Sequence, residues 1–401
     1  MAHQQVYRLE VFYLNTKTTP KRVLVTGARA PVALHLCRLF HERGYEVYAA
    51  DSTPYPLTKA SNSIQAYIQL SAPRTKPDVF IEEVSRLVKK HHIDLLVPTC
   101  EESFYLSMYR ERIPFYCDVF VGAFQDMKQL HNKQTFIQLA EELGFAVPKT
   151  IRLSEVSNAE HAKTLFAKDV VVKKIFSRFS DDVHFFPAED YEPERHLFTP
   201  RSEWIMQEKI EGAQYCSYSI VRDGIVMAHT TYQTELTAGV GATIAFKHCE
   251  HPAIERFVKT IANALSFTGQ LSFDFIVDEN GTPYPIECNP RATSGLHLFS
   301  PDVVPAFIES VSSCLYPSEE TKEAIKLAML VYGWHNHKHH SWKELWNAFF
   351  TYRDITYRSG DMKPFFYQFV SMYDLWKESR KHGQSMTAVS THDIRWDGEH
   401  S

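Results

Sequence analysis

The sequence predicts an α/β protein that passes into a mixed α+β region and ends in helices. Three observations carry this. Short apolar strands alternate with amphipathic helices through the first 125 residues. From there to about residue 315 the strands come as hairpins rather than βαβ units. The last stretch holds mainly helical patterns. The chain has 401 residues, 44% hydrophobic and 23% charged, enough for two or three domains with real cores.

The first unit opens with a buried strand at Arg22–Thr26. A tight turn, Gly27-Ala28-Arg29-Ala30-Pro31, and an amphipathic helix over 32–43 follow. A second strand runs from Tyr45 and ends at Asp51, which completes a βαβ unit. Asp51 stands where a ribose-binding acid would sit in a dinucleotide fold, but the turn has one glycine where G-x-G-x-x-G is needed. A Rossmann-like scaffold with another ligand, or none, at its strand ends is the better expectation. The alternation continues with a strand near 64–70, a helix over 77–91 and the strand IDLLVP ending at Pro98. Glu101 and Glu102 follow at that strand's carboxyl end, where α/β sheets bind ligands. They either meet substrate or start the next helix, where acids are favoured. A strand near 119–122 closes this first unit, and residues 6–14 read as a short edge strand before it.

A helix is expected from Lys133 to Leu143. A lysine in a first helical turn opposes the helix dipole, which a bound anion would explain. Val170–Lys173 reads as a β-branched strand ending in a lysine, followed by the polar stretch 177–183. WIMQEKI (204–210) is another strand, and Arg222-Asp223-Gly224 a hairpin turn of the type I′ kind. Residues 237–242 read as a Gly-containing loop and 252–265 as a helix. The stretch QLSFDFIVDENGTPYPIECNPRATSGLHL (270–298) then holds two apolar strands across a turn. Glu287 and Asn289 are two apart and share a strand face, and Asp274 interrupts an apolar strand. An unpartnered carboxylate is costly there. Asp274, Glu287 and Asn289 are hard oxygen donors, the set Mg²⁺ takes when it also holds nucleotide phosphates. Arg291 beside them suits a phosphate or a carboxylate. Helices are expected over 304–315, 321–331, 342–352 and 364–381.

Composition excludes several classes. A formal net charge of −5 gives no electrostatic reason to expect nucleic acid. No apolar run approaches membrane-spanning length, and the N-terminus has no basic start leading into an apolar stretch. The seven cysteines, at 37, 100, 117, 216, 249, 288 and 314, form no CxxC pair, and an odd number suits a reducing cytoplasm better than a disulfide framework. Residues 335–340, HNHKHH, invite a metal hypothesis, but no acid or cysteine completes a ligand set locally.

Five motifs in order resemble the ATP-grasp superfamily, most of all its carbamoyl-phosphate-synthetase-like and D-alanine-ligase-like branch. They are GARAPVALHL, NKQTFIQLAEELGFAVPKT, VVVKK, IMQEKIEG and FDFI…PIECNPRATSG. The resemblance covers about residues 20–310. It implies a Rossmann-like pre-ATP-grasp domain (1–125), an ATP-grasp domain of two subdomains (126–315, its small lid about 150–212) and a helical C-terminal extension (316–401). It also implies ATP and Mg²⁺ (or Mn²⁺) as cofactors. Lys133 and Lys173 would hold the nucleotide phosphates, with Ser177 on the lid. Gln207, Glu208, Lys209 and Ile210 would face adenine, and Gln214 the ribose. Asp274, Glu287 and Asn289 would chelate the metal, and Arg291 would steady the transferred phosphoryl group, with Lys173 beside it. Glu101, Gly239, Gly241 and Arg291 would line the substrate. Three features depart from the family's pattern: the stretch 177–183 lacks glycine, Gln214 replaces an acid, and Lys173-Lys174 stands where Lys-Pro is common.

The activity so implied is ATP-dependent joining of a small carboxylate, an amino acid or peptide-like acid, to an amine. Bicarbonate activation of the carboxylase or carbamoyl-phosphate kind is the alternative, and a nucleotide-binding protein without catalysis is a third reading. The expected partners are small-molecule carboxylate and amine substrates, with neither nucleic acid nor membrane, and a homodimer is compatible with the extension.

Overall fold

The computed structural model describes residues 22–153, 164, 166, 169–176, 183–186, 204–238, 242–332 and 342–398. Three sheets organise them. The first is parallel, in the order β3-β2-β1-β4-β5, built from β1 (Arg22–Thr26), β2 (Glu46–Asp51), β3 (Ala66–Gln69), β4 (Leu95–Val97) and β5 (Asp118–Val119). Its strands are continuous apolar runs because helices cover both faces: α1 (Pro31–Glu42), α2 (Pro77–His91) and α3 (Glu102–Met108). The order reverses between β1 and β4, so the β1–α1 turn and the residues after β4 open into one crevice.

Gly27 makes the β1–α1 turn at φ +72°, and a Cβ there would lie 2.5 Å from Thr99 Oγ1. Asp51 does not project into solvent. Its carboxylate accepts the Arg29 N–H at 2.8 Å and pairs with the Arg29 guanidinium. The acid at the second strand's end is thus engaged by the chain's own arginine.

Two antiparallel-rich sheets follow. Helix α4 (Phe124–His131), which the sequence pattern did not suggest, runs into α5 (Lys133–Glu142) with Asn132 between them. The Asn132 side chain caps α5, accepting from the N–H groups of Gln134 and Thr135. A four-stranded sheet, β6-β9-β7-β8, comprises β6 (Thr150–Arg152), β7 (Val170–Lys174), β8 (Val183–Phe186) and β9 (Trp204–Glu208). A seven-stranded sheet has the order β14-β13-β10-β11-β12-β15-β16. Its strands are β10 (Ala213–Arg222), β11 (Ile225–Ala238), β12 (Ala242–Cys249), β13 (Gly269–Val277), β14 (Pro283–Asn289), β15 (Lys322–Ala324) and β16 (Arg353–Asp354). The β10–β11 turn is of the expected type, with Asp223 and Gly224 both at positive φ. Helix α6 (Pro252–Ala264) and α5 cover one face of this sheet. There Phe136, Phe257, Phe273 and Phe275 form one aromatic cluster, Phe136 lying 5.7 Å from Phe273. Each such buried ring contributes about 2–3 kcal/mol, and together they set where the N-terminus of α5 lies.

Three readings change. Residues 225–238 and 242–249 form β11 and β12, so Thr237, Ala238 and Ala242 of the expected loop are strand residues. Residues 301–307 are a short 3₁₀ segment with Pro305 inside it, and proline does not sustain an α-helix interior. The chain then returns as a bridge between Leu315 and Ala228. The expected helix at 321–331 begins as β15, paired with β12, and turns helical only at α7 (Lys326–Tyr332). Backbone pairing with an exposed sheet edge overrides helical periodicity there. Helices α8 (Trp342–Thr351) and α9 (Lys363–His382) lie where the periodicity put them, and α10 (Met386–Val389) precedes the C-terminal residues. Among the described residues no helix is long and apolar enough to cross a membrane. The expected strand at 6–14 and the His335–His340 cluster lie outside the described residues.

Candidate active site

The site is built where β7 of the smaller sheet faces the β13–β14 hairpin of the larger one. Asp274 on β13 is directly opposite Glu287 on β14, and Ser272 opposite Asn289, so Asp274, Glu287 and Asn289 share one face. Phe275 pairs with Pro285, which makes Ile286 the extra residue of a β-bulge. Its carbonyl accepts a hydrogen bond from Lys173 Nζ at 3.2 Å. Strand alternation explains the lysine: Val170 and Val172 go into the small sheet's core, so Val171 and Lys173 point the other way. Lys174 lies instead over the Trp204 ring, 5.4 Å from its centre.

Lys133, at the first residue of α5, reaches Glu287 Oε2 at 3.4 Å. Its backbone N–H meets the Ile175 carbonyl, tying α5 to the end of β7. Both lysines are 3% exposed, a burial an ammonium tolerates only beside negative charge. Burial, helped by Lys133, lowers Lys173 to about 7, against the pull of Glu287 and Asp274. Burial raises Asp274, and the neighbouring Glu287 charge raises it further. For Glu287 burial acts upward too, but Lys133 and Lys173 outweigh it and hold the carboxyl low. Two lysines and two carboxylates therefore balance one another across the gap between sheets.

Asn289 continues the chain of contacts. Its amide donates to Glu287 Oε1 at 3.1 Å, and its oxygen accepts from Arg291 Nη2 at 2.9 Å. Arg291 Nη1 donates to the Ala292 carbonyl, and Nε faces Glu101 Oε1 at 3.9 Å. The two acids after β4 thus part company. Glu102 begins α3, its carboxylate accepting from Thr26 Oγ1 and the N–H groups of Thr99 and Cys100. Glu101 turns toward Arg291.

On β9, Gln207 pairs with Val171 and so shares the Lys173 face, and its amide donates to Thr150 Oγ1 at 2.9 Å. The N–H groups of Glu208 and Lys209 go to the carbonyls of Lys149 and Asp169. Ile210 lies two residues past the end of β9. Gln214 sits opposite Ile276 on β10, which puts it on the Asp274 face of the large sheet. Ser177, Gly239 and Gly241 lie outside the described residues.

The sequence pattern did not single out two neighbours of this site. Cys216 pairs with Asp274 across β10–β13. Trp396 is buried near Glu101, which its backbone N–H meets at 3.1 Å. A tryptophan amid the charged C-terminal residues was the one available signal for the latter.

Residues 130–295 match the ATP-grasp domain family. The chain thus carries an ATP-grasp domain over this stretch. Solved structures with the same fold include an N5-carboxyaminoimidazole synthetase from Staphylococcus aureus complexed with ADP. It is 14% identical with a TM-score of 0.60, over 79% of this chain and 86% of that one. An L-amino acid ligase from Bacillus licheniformis is 13% identical with a TM-score of 0.52, over 69% and 68%. A pyruvate carboxylase from Rhizobium etli is 18% identical with a TM-score of 0.53 over 69% of this chain. This chain spans 26% of the pyruvate carboxylase's length. At these identities the likeness is one of ATP-grasp fold.

The donor set fits a Mg²⁺ held jointly with phosphates. Among the described residues no three His, Cys, Asp or Glu side chains form a metal cage of their own. Mg²⁺ commonly takes one or two carboxylates and completes its shell with phosphate oxygens and water. Asp274 and Glu287, opposed on one face with the Asn289 amide beside them, offer that partial shell.

Proposed function

We infer that this protein is an ATP- and Mg²⁺-dependent ligase that activates a small carboxylate as an acyl phosphate and passes it to an amine, releasing ADP and phosphate. The observation that carries the reading is the facing of two buried lysines and two opposed carboxylates, with Arg291 joined to them through Asn289. Lys173 and Lys133 would turn from their present partners to the nucleotide phosphates. Gln207–Ile210 would border the adenine, and Gln214 the ribose. Asp274, Glu287 and Asn289 would hold Mg²⁺, which neutralises charge on the phosphates when bound. Arg291 would face the oxygens of the transferred phosphoryl group, with its guanidinium already oriented. Phosphoryl transfer asks for this positioning and charge neutralisation and needs no protein nucleophile. In this reading residues 1–125 are the pre-ATP-grasp domain, 126–315 the ATP-grasp domain and 316–401 an added extension.

The same core suits bicarbonate as the acid. The likeness to an N5-carboxyaminoimidazole synthetase and to a pyruvate carboxylase, both named for carboxylation, favours this second reading. One experiment separates the two. ADP release is measured with ATP and Mg²⁺ against pools of amino acids and carboxylic acids, with and without bicarbonate. Release that requires both an acid and an amine supports the ligase, and release driven by bicarbonate alone supports the alternative. Nucleotide binding without turnover in any pool would reject both.

A further inference from the structure

The chain's last described residues enter the site from behind. Trp396 is 1% exposed. Its ring stacks on Phe104 of α3, with centroids 4.7 Å apart and planes 10° from parallel. It also meets the edges of Phe124 on α4 and of Phe176 just beyond β7. One indole therefore touches the parallel sheet's helix, the segment leading to Lys133 and the end of the strand carrying Lys173. Its backbone N–H donates to Glu101 Oε2 at 3.1 Å, while Glu101 Oε1 faces Arg291 Nε.

The surrounding contacts anchor this segment heavily. Arg29 Nη1 donates to Asp393 Oδ1 at 2.6 Å and to the Ser390 carbonyl at 2.8 Å. Ser52 Oγ donates to Asp393 Oδ2, and the Arg74 N–H to the Asp393 carbonyl at 3.1 Å. Tyr105 donates its hydroxyl to the Arg395 carbonyl at 3.0 Å. Residues from the crevice of the parallel sheet thus grip the segment on one side, and Trp396 delivers it to Glu101 on the other.

We propose that residues 391–398 are a positioning element for Arg291. The Trp396 N–H holds the Glu101 carboxylate, and Glu101 Oε1 stands at ion-pair distance, 3.9 Å, from the Nε edge of the guanidinium while Asn289 accepts from Nη2. The chain's end thereby sets the orientation of the cation that meets the transferred group. This rests on the role given to Arg291 above. The physical reason is that a guanidinium's value lies in a fixed fork, and fixing its back edge aims the front. A carboxylate in turn keeps one orientation only if its own lone pairs are engaged.

The test uses the full-length chain with Trp396→Ala, Trp396→Phe and Glu101→Gln. ADP release gives kcat, nucleotide binding is measured separately, and the Arg291 Nε–H resonance is followed in ¹⁵N-arginine-labelled protein, assigned with Arg291→Lys. Trp396→Ala and Glu101→Gln should each shift that resonance and lower kcat by about 10-fold or more, with nucleotide affinity within 2-fold of wild type. Trp396→Phe should restore most of the rate, because it keeps a stacked ring and the N–H in place. The double variant should be no worse than the poorer single one, since both break one chain of contacts. An unmoved resonance in Glu101→Gln, or a kcat loss that is multiplied in the double variant, overturns the proposal. Glu101→Gln is nearly isosteric and keeps the test open should Trp396→Ala not fold. If wild type releases no ADP with any acid while the resonance still moves, the positioning stands and the ligase reading fails.

Discussion

Lys173 Nζ donates to the carbonyl of Ile286, the extra residue in the bulge of β14. The bond joins two sheets and brings a buried cation within reach of Glu287, the next residue along. A regular ladder would turn the Ile286 carbonyl into pairing with β13, so the bulge both frees the acceptor and turns Glu287 to lie opposite Asp274.

Lys173→Met should therefore remove the proposed phosphate ligand and leave the fold intact. ADP release should fall by about 100-fold or more, the scale for losing one group that meets developing charge. Far-UV circular dichroism should be unchanged. Glu287→Gln should likewise abolish turnover. Full activity in either variant would count against the phosphate and metal assignments.

Asp274→Asn should separate function from stability. The Asp274 carboxyl is raised by burial and by the Glu287 charge, so at pH 8 its ionised form destabilises the fold. An amide removes that cost. The variant should be more stable than wild type by about 1 kcal/mol without metal, a Tm gain of roughly 2 °C for a chain of this size. Its Mg²⁺-dependent activity should be lost. A lower melting temperature would show that the carboxylate is stabilising as it stands.

Acid should unfold this protein earlier than carboxylate titration alone requires. Burial lowers His35 to about 3, and His131 and His229 to about 4. Unfolded imidazoles titrate near 6.5. Above that pH both states are neutral at these positions and nothing is lost. Below it only the unfolded chain takes up protons, so stability falls progressively from pH 6.5 toward 4. At pH 5.5 each histidine should reduce stability by about 1.4 kcal/mol. Denaturant midpoints between pH 7.5 and 5.5 would measure the sum, and His229→Asn should flatten the slope.

Gly27→Ala should destabilise through the backbone. The residue sits at φ +72°, and the added Cβ would meet Thr99 Oγ1 and Glu102 Oε1. The expected loss is about 1–3 kcal/mol, read by urea denaturation. Gly44→Ala, also at positive φ but with nothing near its Cβ, should cost only the backbone strain, about 1–2 kcal/mol.

The sequence by itself determined the parallel sheet, the hairpin turns and the shared face of Glu287 and Asn289. Those depend on local periodicity and on glycine and asparagine chemistry. It also put Lys133 at the start of a helix, where its charge is anomalous, and supplied the order of motifs that marks the ATP-grasp fold. The tertiary structure decided what no local pattern carries. It chose Lys173 over Lys174, because the hydrophobic core behind β7 takes Val172 and leaves the opposite face toward the hairpin. It separated Glu101 from Glu102 and turned residues 322–324 into an edge strand. It also folded Trp396 back against Glu101 across nearly 300 residues of chain. Contacts of that span are set by which apolar surfaces remain uncovered once the sheets have formed, and a single strand or helix does not carry that information.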